Sequence, residues 1–135
     1  MAISFSLPGD PVPQPRPRVS TVGGYGRAYV PKAHPVHAYR AGLAAAAKRA
    51  GCTPASEPVG VVIDLVFGRP KSHLRRGEVK ATAPRLPRAD VDNAAKAVLD
   101  ALTGIAWHDD AQVARLVVEK SYSTEGRTTV RIGHA

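Results

Sequence analysis

Val59 to Gly68 reads VGVVIDLVFG. Val59, Val61, Ile63, Leu65 and Phe67 share one side by the two-residue period of a strand, and Val62 and Val66 put apolar bulk on the other. A strand apolar on both faces belongs in the middle of a sheet rather than at its edge. The rest of the chain is therefore read as packing around a buried strand.

Upstream, the polar CTPASEP separates this strand from VHAYRAGLAAAAKRAG, Val36 to Gly51. Its alanine content and terminal glycine are those of a helix with its C-cap. Before it, Pro8 to Pro35 is punctuated by prolines and glycines that forbid a helix. It reads as a short ribbon or ordered loop, with RAYV as a strand, and it carries Arg16, Arg18, Arg27 and Lys32 interleaved with Tyr25 and Tyr29. AISFSLP ahead of it reads as a first strand stopped by Pro8.

Downstream, Arg69 to Arg88 holds seven Lys or Arg, three prolines and one acid, Glu78, and reads as a long flexible basic loop. A helix is predicted from Asp92 to Thr103, ending at Gly104, with Ala95, Val98, Leu99 and Leu102 as its apolar stripe. QVARLVVEKSY, Gln112 to Tyr122, is then a strand and GRTTVRIG its hairpin partner. The expectation is one α+β domain over residues 1–135, with a mixed sheet of about four strands and two main helices. A chain of this length buries roughly two-thirds of its unfolded surface.

Nineteen Lys and Arg against eleven Asp and Glu give a formal charge of +8 and a pI near 10.2. That balance points to a polyanionic partner, above all nucleic acid, with solubility charge as the plainer explanation. The lone Cys52 excludes a disulfide framework and a multi-cysteine zinc site; a free thiol in a reducing cytoplasm is expected. MAISFSLPGD lacks the basic start and apolar run of a signal peptide, and no stretch of about 18 apolar residues is present to cross a membrane. A soluble, cytoplasmic protein is expected.

Against this basic background, five of the eleven acids fall in two neighbouring stretches, RADVDNAAKAVLDAL (Arg88–Leu102) and GIAWHDD (Gly104–Asp110). Asp90 and Asp92 sit two apart where an extended segment becomes a helix, and Lys96 follows Asp92 by one turn. Asp109 and Asp110 close a loop just before a strand. A helix start and a strand start can share one end of a small domain, so the two pairs can converge. Two carboxylates about 4 Å apart repel by roughly 4 kcal/mol at an effective dielectric near 20, so convergence calls for a counter-charge. Magnesium takes one or two carboxylates together with waters and phosphate oxygens. The composite is a metal-dependent nuclease, with the ion polarising the scissile phosphate, activating a water, and Lys96 set to stabilise transition-state charge. The structural alternative stands beside it: an Asp N-cap, an Asp92–Lys96–Asp100 surface ladder, and a turn at Asp109–Asp110.

The ordered block ADVDNAAKAVLDALTGIAWHDDAQV closely resembles the signature of the RusA family of Holliday-junction resolvases, D-x-D-N-x-x-K, then D-A-L, then W-x-D-D-x-Q-V. Here these fall on Asp90, Asp92, Asn93, Lys96, Asp100, Trp107, Asp109, Asp110, Gln112 and Val113. KAHPVHAYR and PRPRVS resemble looser family segments. The resemblance implies a RusA-like fold and a homodimeric, magnesium-dependent endonuclease, with manganese as substitute, that cuts four-way DNA junctions by paired symmetric nicks. It implies Asp90, Asp92 and Asp110 as catalytic metal ligands, Asp109 as a further candidate, and Lys96 as the catalytic lysine. Asp100 is expected to hold Lys96, Trp107 to anchor the core or an interface, and His108 to be an exposed loop residue. DNA contacts are expected from Arg16, Arg18, Arg27, Lys32, Arg69, Lys71, Arg75, Arg76, Lys80, Arg85 and Arg88. A bacterial cytoplasm, with a phage or prophage gene, is the implied setting. A flap- or fork-cutting nuclease and a non-catalytic DNA-binding module of the same fold are the alternatives.

Overall fold

The computed structural model describes residues 2–16, 18–21, 23–24 and 26–135, without the side chain of Arg18. In chain order the elements are β1 (Ile3–Pro8), β2 (Arg18–Ser20), β3 (Arg27–Tyr29), α1 (Val36–Arg49), β4 (Val59–Gly68), β5 (Leu74–Arg75), β6 (Glu78–Val79), α2 (Val91–Leu102), β7 (Val113–Ser123) and β8 (Arg127–His134). Four strands form one mixed sheet in the order β1-β8-β4-β7, and two short antiparallel ribbons, β2-β3 and β5-β6, stand apart from it. The α+β expectation holds, down to the ribbon that follows the first strand.

The apolar alternation in β4 does what its period dictates. Val59, Val61, Ile63 and Leu65 are buried beneath both helices, together with Val130 and Ile132 of β8 and Phe5 of β1. From α1 come Val36, Tyr39, Leu43, Ala46 and Ala47; from α2 come Ala94, Ala95, Ala97, Val98, Ala101 and Leu102. The alanines let the two helices lie close to each other and to the sheet. Trp107, fully buried, closes the end of this core, and its indole Nε1 donates to Thr103 Oγ1 at 3.1 Å. The expectation of a tryptophan anchor is thus met by the core. Cys52 is a free, half-buried thiol, pushed up from its usual range by burial. No helix among the described residues is long and apolar enough to cross a membrane.

β8 is not the hairpin partner of β7. β4 lies between them, parallel to β7 and antiparallel to β8. Apolar on both faces, β4 has two edges that need partners, and a β7–β8 hairpin would leave one of its ladders open. Residues 124–126 therefore cross the end of β4, a lateral step of about 10 Å between second-neighbour strands. Asp10 seals the crossing: its Oδ1 accepts from the Gly68 amide at 2.8 Å, while Gly9 N donates to Gly126 O and Arg69 N to Ser123 O, both at 3.0 Å.

The basic stretch from Arg69 to Arg88 contains more regular structure than its composition suggests. A single turn at Lys71–His73 leads into the β5-β6 ribbon, whose tight turn has Arg76 at φ 53 and Gly77 at φ 80. Positive φ at both central positions gives the turn the twist a two-residue hairpin needs. Arg69 braces the stretch: its guanidinium lies 4.5 Å from the Tyr122 ring centroid and donates to Pro84 O at 2.8 Å, and His73 meets Tyr122 edge-on at 5.3 Å.

One buried polar pair ties α1 to the sheet. Tyr39 Oη and Thr128 Oγ1 lie 2.6 Å apart, and Thr128 is completely buried. Burial pushes the Tyr39 phenol up to about 12, partly offset by the Thr128 hydrogen bond. Because the folded value is raised, its contribution is complete below the ordinary tyrosine range near pH 10 and is lost as pH climbs through 12. Two units correspond to about 3 kcal/mol. Urea midpoints of the wild type are expected to fall across pH 10–12, and those of Tyr39→Phe to fall less over the same window; equal slopes would exclude the assignment.

Candidate functional site

Helix α2 starts where residues 87–90 meet the carboxyl end of β7, beside that of its parallel neighbour β4. In open α/β units that is the end at which ligands gather. Asp90 is the N-cap residue with φ −68 and ψ 132, yet its side chain makes no capping bond. Its main-chain carbonyl accepts from Ala94 N at 3.0 Å, so the helix begins on the backbone and leaves the carboxylate free. Asp92 lies in the first turn, where the partial positive charge of the helix start favours a carboxylate. Asp92, Asn93 and Lys96 are all exposed on the face opposite the buried alanines. A proline-rich strap backs this turn: Gln14 N donates to Asn93 O at 3.0 Å, which brings the exposed Arg16 close by.

Asp100 does not hold Lys96. Its Oδ2 lies 3.4 Å from Arg40 Nη2 of α1, and Arg40 also bonds Gln14 Oε1. The Asp92–Lys96–Asp100 ladder of the structural alternative is not formed, and Lys96 makes no ion pair among the described residues. A guanidinium delivered by the neighbouring helix takes the carboxylate that helical spacing alone would assign to the lysine. This leaves the Lys96 ammonium available at the acidic end.

Asp109 and Asp110 sit in the turn before β7. Gln112 organises that turn, accepting from His108 N and Asp109 N at 2.9 Å and donating to Ala55 O and Glu57 O at 2.7 and 3.1 Å. Asp109 Oδ1 accepts from Ala111 N at 3.0 Å. That bond, with a smaller contribution from a hydrogen bond to the Asp110 side chain, holds Asp109 below the usual carboxylate range. Asp109 thus serves the turn, and Asp110 is the exposed partner beside it, as is His108.

The two acidic pairs do not converge within one copy of the chain. The turn before β7 is tied to Ala106 and Trp107 at the C-terminal end of α2, through the Ala55 N–Ala106 O bond of 3.0 Å and the Gln112–Ala55 contact. Asp90 is at the other end of a twelve-residue helix, about 18 Å long. Among the described residues, no group of three His, Cys, Asp or Glu side chains is placed to hold a metal ion. The donors fit a hard divalent cation by chemistry, since Asp90 and Asp92 alone supply the two carboxylates that magnesium commonly takes. The three-carboxylate set is not complete in a single chain.

Most of the basic residues expected to meet DNA are exposed: Arg16, Arg27, Lys32, Lys71, Arg75, Arg76, Lys80, Arg85 and Arg88. Arg69 is the exception, its guanidinium engaged by Tyr122 and Pro84. The Arg18 side chain and Tyr25 lie outside the described residues. Two polar residues that shape the site were not singled out from sequence as shaping it. Gln112 matches a family position that carries no assigned role, and Lys120 lies outside the family block. Lys120 donates to Pro87 O at 2.8 Å and Ala89 O at 3.0 Å, just ahead of Asp90. Its signal is a lysine in phase with Val118 and Tyr122 on the helix-covered side of β7, opposite the buried Leu65.

A free acidic pair at a helix start, a lysine one turn on and a basic surround coincide with the comparisons to known proteins. The family described as Endodeoxyribonuclease RusA matches residues 8–133. A Bacillus subtilis (strain 168) protein described as "Uncharacterized protein YqaN" is 33% identical over 135 residues, covering 96% of this chain and 94% of that protein. The chain belongs to the RusA endodeoxyribonuclease family.

Proposed function

We propose that this chain is a magnesium-dependent, structure-selective endonuclease that resolves four-way DNA junctions by paired nicks, acting as a homodimer in a bacterial cytoplasm, with a phage or prophage gene as its source. The observation that carries the reading is the family match across residues 8–133. The uncapped Asp90 carboxylate, Asp92 and the unpaired Lys96 at one end of α2 support it. Magnesium, with manganese as substitute, would supply Lewis-acid polarisation of the scissile phosphate and activation of the attacking water. Asp90 and Asp92 would hold the ion, and Lys96 would place a compact positive charge against the developing phosphorane oxygens. The products are a 3′-hydroxyl and a 5′-phosphate.

The separation of the acidic pairs argues for the dimer. A two-fold partner running antiparallel along α2 would bring the partner's Asp110 to Asp90 and Asp92, making two equivalent sites. Two such sites match the approximate two-fold symmetry of a four-way junction. The test is a panel of a fixed four-way junction, a flap, a fork and a plain duplex, each with and without magnesium. Paired nicks on the junction support the proposal. Preference for the flap or fork makes the chain a different branched-DNA nuclease, and binding without any cleavage makes it a DNA-binding module.

Lys96→Ala is expected to slow junction cleavage by ~10²–10³-fold. Dimerisation in analytical ultracentrifugation and the melting temperature should be unchanged, since the side chain is exposed and unpaired. A loss of dimer in place of rate would assign Lys96 to the interface.

A further inference from the structure

We propose that Lys120 is a positioning residue that sets the Asp90 carboxylate for its ligand, an assignment that rests on the nuclease reading above. The ammonium, half-buried on the helix-covered side of β7, donates to the carbonyls of Pro87 and Ala89, the two on either side of Arg88. Asp90 is the next residue, and its own carbonyl takes the first intrahelical bond, from Ala94 N. Its backbone is therefore gripped on both sides, by the lysine ahead and the helix behind, while its carboxylate has no capping bond.

Such an arrangement suits an acid whose partner comes from outside the chain. Carboxylates that serve only a helix start normally turn inward to its amides. Here Asp90 keeps the extended backbone usual for a cap residue, at ψ 132, but its carboxylate makes no capping bond, and a charged donor reaching from the sheet holds the carbonyls on either side of Arg88. An apolar side chain at position 120 would fill the same volume without taking either carbonyl. Neither Asp90 nor Asp92 makes an ion pair among the described residues, so Lys120 acts on Asp90 through the main chain and not by direct contact. Long-lived hydrogen bonds from an element as rigid as a sheet strand hold a ligand within the narrow tolerance that metal coordination demands.

The experiment compares wild type with Lys120→Met and Lys120→Arg in three measurements: amide hydrogen exchange over residues 88–94, manganese binding by calorimetry without DNA, and junction cleavage against magnesium concentration. Lys120→Met is expected to speed exchange in that segment by at least about tenfold and to weaken manganese binding and raise the half-saturating magnesium by about tenfold, with junction affinity unchanged. Lys120→Arg, which keeps a cationic donor, should recover part of each. Faster exchange with unchanged manganese binding and unchanged magnesium dependence would overturn the proposal, leaving Lys120 as a loop strut. If Lys120→Met does not fold, Lys120→Gln is judged by the same criteria. A wild type that cuts no branched DNA would remove the nuclease reading, and manganese binding, with Asp90→Asn as the reference for a lost site, would still decide the role of Lys120.

Discussion

Asp90→Asn and Asp110→Asn are each expected to abolish magnesium-dependent junction cleavage, by ~10³-fold or more, or about 4 kcal/mol in barrier, while junction binding persists. Binding is expected to survive because, on the proposed reading, the exposed Lys and Arg residues carry it, and each substitution removes a negative charge from a basic surface. The informative experiment mixes the two dead proteins. After subunit exchange about half of the dimers carry one copy of each variant. If each site draws Asp90 from one protomer and Asp110 from its partner, one site in a mixed dimer has both lesions and the other has none. The mixture should then regain cleavage, as single nicks rather than paired ones. If each site is built within one chain, both sites of the mixed dimer stay dead. The spacing of about a helix length between the pairs leads us to expect rescue.

Gly126→Ala carries the largest expected effect on stability. A Cβ there would meet the Cα and N of Asp10 at 2.6 Å, as well as its carboxylate oxygen. Two of the three are main chain and cannot rotate away, so either the Asp10 seal or the 124–126 crossing must shift. Gly126 does not have positive φ, and the penalty is one of contact, not of backbone conformation. About 3 kcal/mol is expected, or a fall of about 10 °C in melting temperature. Gly133→Ala, in the strand that follows the crossing, is the control: a Cβ there meets nothing within 4 Å, and its melting temperature should stay within about 2 °C. Equal melting temperatures for both variants would mean that the crossing is not tightly packed.

What the chain discloses before folding is uneven, for physical reasons. The period in Val59–Gly68 and the stripe in α2 announce themselves because burial acts on each residue through its own local geometry. Strand neighbours do not: nothing in QVARLVVEKSY says that it runs parallel to β4 and not back along β8. That one pairing also sets the place of Asp110. A helix linking two parallel strands runs against both, so the second strand begins at the tail of the helix, far from its head. Asp90 and Asp92 were legible as a pair because they are two residues apart. Their relation to Asp110 depended on strand direction, and so the expected convergence within one copy failed. Asp100 shows the same limit at smaller scale, since Arg40, sixty residues away, outcompetes Lys96 at one turn.

The crossing over β4 also sets an order of assembly. Among the described residues β1 has β8 as its sole partner in the sheet, in the register Ile3↔Ile132. During synthesis β1 emerges well before β8 and has no place in the sheet until β8 follows. The helices and the parallel pair of β4 and β7 can gather first, and insertion of β8 then recruits β1 in a single closing step. Contacts of such long sequence separation make folding slow, and until β8 arrives they leave the apolar face of β1, Ile3, Phe5 and Leu7, in water.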